Sequence, residues 1–156
     1  MKSPRLLLCT IYAITSFCAC NRNNVTSIPN LPVYLSLDLG GEYATFYGNV
    51  NASLEFTKPR LETDRIGYGG ILVYVPLFDA FGQYVAFDMA CPHEVDRNIR
   101  VHHDGNGNAV CEKCGSAFLL VDGTGVRTSG PAKENLKRYR ADLRLTNTSR
   151  KLIITR

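Results

Sequence analysis

Cys91, Pro92 and His93 are followed, after seventeen intervening residues, by Cys111, Glu112, Lys113 and Cys114. Three thiols and one imidazole thus stand on two short segments, and soft or borderline donors in that number are the inventory of a metal site. The cysteine count sharpens the reading. Of six cysteines, Cys9, Cys18 and Cys20 lie near the N-terminus in an apolar stretch, so the body of the chain holds only Cys91, Cys111 and Cys114. With His93 they make a four-ligand set and leave no cysteine over.

Other chemistry is weaker. His102 and His103 are adjacent, so on a strand they face opposite sides, and Asp104 and Gly105 beside them mark an exposed turn. Glu94 and Asp96 border the His93 loop and read as solvating it. Tyr43, Phe46 and Tyr47 read as sheet packing, because no basic groove accompanies them. No nucleophile with a spaced base, phosphate loop or facial triad stands out, so the sequence does not support an enzyme active site.

The elements that must position the two loops read as strands. Val33, Leu35, Leu37 and Leu39 alternate with Tyr34, Ser36 and Asp38, and residues 142–146 alternate in the same way. Ile71, Leu72, Val73, Tyr74 and Val75 form an uninterrupted apolar run, the pattern of a central strand. Residues 83–88 lead directly into Cys91. Gly-rich turns at residues 104–108 and 122–125 fit hairpin connections on either side of the Cys111 loop. Only residues 132–139, opened by Pro131, predict a helical turn or two. No internal repeat or coiled coil is present.

Lys2 and Arg5 followed by Leu6, Leu7, Leu8 and Ile11 have the form of an export leader covering residues 1–20, its apolar part too short to span a bilayer comfortably. Its end, Phe17, Cys18, Ala19 and Cys20, resembles a relaxed bacterial lipobox, which makes Cys20 the expected lipidation site and membrane anchor. An ordinary secretory leader cut nearby is the alternative. Residues 21–30 read as a polar tether and residues 31–156 as one domain. The net charge is +4, and removing Lys2 and Arg5 leaves +2, with the basic residues dispersed except near Lys133, Lys137, Arg138 and Arg140. That excludes a nucleic-acid binder.

Taken with Gly115, Ser116, Phe118, Gly123, Gly130, Pro131, Ala132, Leu136 and Tyr139, the ligand set resembles a Rieske iron–sulfur domain over about residues 68–156. The resemblance implies a [2Fe–2S] cluster between two loops, with two cysteines on the inner iron and two histidines on the outer one. Cys91 and Cys111 match the cysteines, His93 matches the first histidine, and Cys114 stands where the second belongs. Gly130, Pro131 and Ala132 match the proline loop that covers the cluster from a third side. Ser116 matches a serine that hydrogen-bonds a bridging sulfide in high-potential members. Phe118 replaces a tyrosine, and Asp96 and Lys113 replace two further cysteines, so the chain is more similar to the ferredoxin-like branch than to the respiratory one.

Four readings of the site stay open: a [2Fe–2S] cluster, a Zn2+ ion in a Cys3His set, a disulfide between Cys111 and Cys114, and a site that binds nothing. The expectation carried forward is an all-β, small Rieske-like antiparallel β-sandwich or barrel with a two-loop metal-binding subdomain at about residues 89–132. It would act as an electron carrier, exported and lipid-anchored in a bacterial cell envelope, facing the periplasm and serving a redox partner protein. The rival is a zinc-stabilised or metal-free binding module built on the same scaffold.

Overall fold

Alternation along the chain sets the first strand. In the computed structural model, which describes residues 26–78 and 84–156, β1 (Val33–Asp38) buries Val33, Leu35 and Leu37 and turns Tyr34, Ser36 and Asp38 outward. The chain continues through β2 (Ser53–Phe56), β3 (Arg65–Ile66), β4 (Ile71–Tyr74), β5 (Val85–Asp88), β6 (Val101–His103), β7 (Asn108–Cys111), β8 (Ala117–Leu119), β9 (Arg127–Ser129), β10 (Arg138–Leu145) and β11 (Arg150–Thr155). Seven strands in the order β2-β4-β5-β10-β11-β1-β3 form a nearly closed antiparallel barrel, and β6-β7-β8-β9 form a second, small sheet. The fold is all-β, a small barrel of the kind the alternating segments predict.

β4 and β5 explain how the two sheets meet. All four residues of β4 and all four of β5 are buried, which a strand achieves only when both faces are covered. The faces belong to different cores. Ile71, Val73 and Ala86 point into the barrel with Leu35, Leu37, Leu152 and Ile154. Leu72, Tyr74, Val85 and Phe87 point the other way and pack with Val101, Ala109, Phe118 and Leu120 of the small sheet. The uninterrupted apolar run at residue 71 is thus a wall between two cores. Each large side chain buried there contributes roughly 1.5–3 kcal/mol of transfer free energy, so the small sheet is held to the barrel mainly by its apolar face.

The two Gly-rich turns lie where hairpins require them, between β6 and β7 and between β8 and β9. In the first, the Asp104 carboxylate accepts the backbone N–H groups of Asn106 and Asn108 at 2.8 and 3.0 Å. Such a side-chain turn leaves the backbone free to reverse.

Two expectations are corrected. Residues 132–139 are not helical, because tertiary partners take the groups a helix would use. The Ala132 N–H bonds Ser116 Oγ, the Leu136 N–H bonds the Gly125 carbonyl, and Ala132 and Leu136 are buried in the second core. Tyr43, Phe46 and Tyr47 pack against the barrel core, Phe46 from the 3-10 turn Ala44–Phe46 and the two tyrosines from its two ends. Finally, the last residues of the expected tether are docked: Ile28 is buried, Ser27 bonds the Glu134 carboxylate, and the Lys137 ammonium donates to the carbonyls of Ile28 and Pro29.

Candidate metal centre

The first loop leaves β5 through Asp88, which is fully buried. Its carboxylate accepts N–H bonds from Tyr68, Gly69 and Ala90 at 2.8–2.9 Å and the Tyr139 hydroxyl. Four donors satisfy a charge that would otherwise be costly inside the protein. They also fix where the chain enters the loop, because Gly69 lies so close to Ala90 that a side chain at 69 would overlap the Ala90 backbone. Beyond it, the N–H groups of Glu94 and Val95 turn back on the Cys91 carbonyl, and the Cys91 N–H bonds the Ile99 carbonyl. Val95 takes up the left-handed φ of 51° that closes this turn.

The second loop is the β7–β8 hairpin. The Cys111 N–H bonds the Ser116 carbonyl at 2.9 Å and the Gly115 N–H bonds the Cys111 carbonyl at 2.8 Å, so residues 111–116 form one tight turn. Lys113 at its tip pairs with Glu94 of the first loop at 2.7 Å. An exposed pair of this kind adds little stability, but it joins the two loops.

The sulfur atoms of Cys91, Cys111 and Cys114 all lie within 4.8 Å of one another, with Cys91 and Cys114 at 3.6 Å. All three are free thiols, so the disulfide between Cys111 and Cys114 does not form here. Cys91 and Cys111 are buried and Cys114 is partly exposed. Burial pushes the Cys91 thiol up to about 12, against the pull of the Glu94 and His93 backbone N–H groups. At Cys114 burial acts in the same upward direction but is outweighed by the Ser116 hydroxyl, the Ser116 N–H and the other two thiols, which together hold it below the usual thiol range. A cation among the three sulfurs reverses the cost of ionising Cys91, since a coordinated thiol is deprotonated.

A third segment packs against the Cys114 turn through Ser116. Ser116 is fully buried, and its hydroxyl oxygen lies 3.1 Å from Cys114 Sγ and accepts the Ala132 N–H at 3.0 Å. Gly130 packs against Ser116 with a φ of +84°, and a Cβ there would overlap the Ser116 backbone. Pro131 is exposed on the outer side of this segment. Phe118 is fully buried in the second core.

His93 is exposed and is not a member of the three-sulfur group. Cys20 lies outside the described residues. His102 pairs with Glu55 at 2.8 Å, and His103 has Ser53 Oγ at 3.1 Å on one ring nitrogen and the Gly107 N–H on the other, so neither joins the cysteines. Sequence reasoning missed Asp88, Gly69 and the Glu94–Lys113 pair. The run Gly67, Tyr68, Gly69, Gly70 is the signal that points to Gly69.

The donor set fits a soft or borderline metal ion: three convergent sulfurs, two of them dry, with one edge open to solvent. No protein-family model and no curated protein matches the chain.

Proposed function

We propose that the domain is an electron carrier that holds a [2Fe–2S] cluster on Cys91, Cys111, Cys114 and His93. The observation that carries this reading is the third segment, in which Gly130 fits against Ser116 and Ala132 N–H holds the Ser116 hydroxyl beside the Cys114 sulfur. A plain zinc turn does not need such a segment. A bound cluster supplies a one-electron couple whose potential responds to charge, hydrogen bonds to sulfur and solvent access. The chain's own contributions follow from its geometry. Cys91 and Cys111 are the buried thiols and Cys114 the outer one; in this reading exposed His93 would supply the fourth ligand, and the Asp88 carboxylate with its four donors anchors the start of the first loop. Exposed His93 is the port nearest a redox partner protein. In this reading residues 1–20 export the chain, Cys20 anchors it by lipid, and the domain faces the periplasm of a bacterial envelope.

One observation favours a second reading, a zinc-stabilised module. A tetrahedral ion with Zn–S bonds near 2.3 Å places its sulfurs about 3.8 Å apart, close to the 3.6 Å between Cys91 and Cys114. Anaerobic purification followed by visible absorption and by iron, zinc and acid-labile sulfide analysis separates the two. The cluster reading expects a coloured protein with two irons and two sulfides per chain; a colourless protein with one zinc overturns it.

A further inference from the structure

A cleft of about 200 Å3 opens beside the first metal loop, lined by Thr57, Gly67, Tyr68, Gly69, Arg97 and Arg100 among others, and containing none of the three cysteines. We propose that this cleft binds a small oxyanion, a phosphate or carboxylate group held by Arg97 and Arg100.

The argument starts from the two guanidinium groups. Arg100 donates through Nε to the Gly69 carbonyl at 2.6 Å, which fixes the plane of its fork and leaves both terminal nitrogens without a protein acceptor among the described residues. Arg97 lies with its guanidinium carbon 5.5 Å from the centre of the Tyr68 ring. Among the described residues neither arginine has a carboxylate within ion-pair distance. Two unpaired cations lining one small cleft repel each other, and an anion between them removes that cost.

The nearest fixed negative charge is no substitute. Asp88 lies under the Gly67 to Gly69 turn, and its oxygens are taken up by three N–H groups and the Tyr139 hydroxyl. Those same bonds occupy the N–H groups of Tyr68 and Gly69, so the ligand's partners are side chains: two planar guanidinium forks of the kind that match an oxyanion bidentately, with Thr57 also in the lining. Gly67 and Gly69 carry no side chain into the space. Its volume equals that of roughly six or seven liquid waters, enough for a phosphate or carboxylate bearing a small substituent.

The inference does not depend on a metal. The test titrates the full chain with inorganic phosphate and, separately, with acetate, at ionic strength held constant with chloride, followed by calorimetry and by amide chemical shifts. Saturable binding of at least one titrant with a Kd of about 1 mM or tighter, with the largest shifts at Tyr68, Gly69 and residues 97–100, is expected. The better titrant identifies the group the cleft takes. Arg97→Gln, at an exposed position, should weaken binding about tenfold or more, Arg100→Lys should weaken it while keeping the charge, and Arg144→Gln on exposed surface should change nothing. Shifts that grow linearly for both anions, or saturable binding that Arg97→Gln leaves intact, overturn the proposal.

Discussion

The hydroxyl of Tyr139 meets Oδ2 of Asp88 at 2.5 Å, joining β10 to the end of β5 just before the strand gives way to Cys91. Both side chains are buried, and burial together with the adjacent carboxylate pushes the Tyr139 phenol far above its ordinary range, so it remains a neutral donor at all working pH values. Removing either partner should therefore cost unequally. Tyr139→Phe leaves the carboxylate three N–H donors and should destabilise by about 1–2 kcal/mol. Asp88→Ala orphans three N–H groups and a hydroxyl, and should cost about 3–5 kcal/mol. Urea unfolding of both variants checks the ranking, and an Asp88→Ala loss no larger than that of Tyr139→Phe would count against Asp88 as the hub.

Acid stability should carry the mark of Asp64. Its side chain is almost wholly buried; burial acts to raise its pKa but is outweighed by N–H bonds from Arg60 and Leu61 and by the Arg60 guanidinium, so the carboxyl is held below its ordinary value. A depressed folded-state pKa contributes stability that is complete above the unfolded value, about 4, and is lost as pH falls through the folded value. Asp64→Asn should accordingly be less stable than the parent at neutral pH, and the gap should narrow below about pH 4. Unfolding free energies at a series of pH values test this; a gap that stays constant through the acid limb argues against it.

The segment packed behind Ser116 should matter for metal retention more than for folding. Ser116→Ala removes the hydroxyl shared by Cys114 and Ala132, and Gly130→Ala forces a Cβ into the Ser116 backbone. Loss of an outer-shell partner of this kind typically costs 10–100-fold in metal affinity. Competition with a chelator should place both variants in that range, with Gly130→Ala also lowering stability because its backbone φ favours glycine. Unchanged retention in both variants would leave the third segment without a role at the site.

How much of this was legible beforehand depends on where each residue's partners lie in the chain. Alternation at residues 33–38 and the apolar run at 71–74 are local signals, and both gave the strands observed. The convergence of Cys91, Cys111 and Cys114 followed from their inventory and spacing, since few other residues could serve those loops. The false helix at 132–139 arose because Pro131 and the residues after it suit a helix start, whereas Ser116 and Gly125, distant in sequence, claim their N–H groups. Asp88 was invisible for a related reason. Nothing local distinguishes a carboxylate that ends a strand in solvent from one that gathers N–H groups of a loop twenty residues earlier.

Exchange of the outer thiolate should reveal the cofactor's charge sensitivity. On the proposed cluster, Cys114 supplies a negative charge where an imidazole is neutral, and negative charge disfavours the reduced state. The potential should therefore fall below the two-histidine range of roughly −150 to +300 mV, toward the roughly −400 mV of all-cysteine ferredoxins. Buried Phe118 offers no hydroxyl to donate to a ligand sulfur, which acts in the same direction. Cys114 sits partly exposed at its turn, so an imidazole has room there. Cys114→His should raise the potential even though it gives up the contact with Ser116 Oγ, because removing a full charge outweighs one hydrogen bond. With His93 the lone imidazole in the set, the wild-type potential should follow pH by no more than one proton per electron, and the variant should add a second titration. Protein-film voltammetry giving a wild-type potential well above zero, or a two-proton slope before the exchange, means that Cys114 is not a ligand.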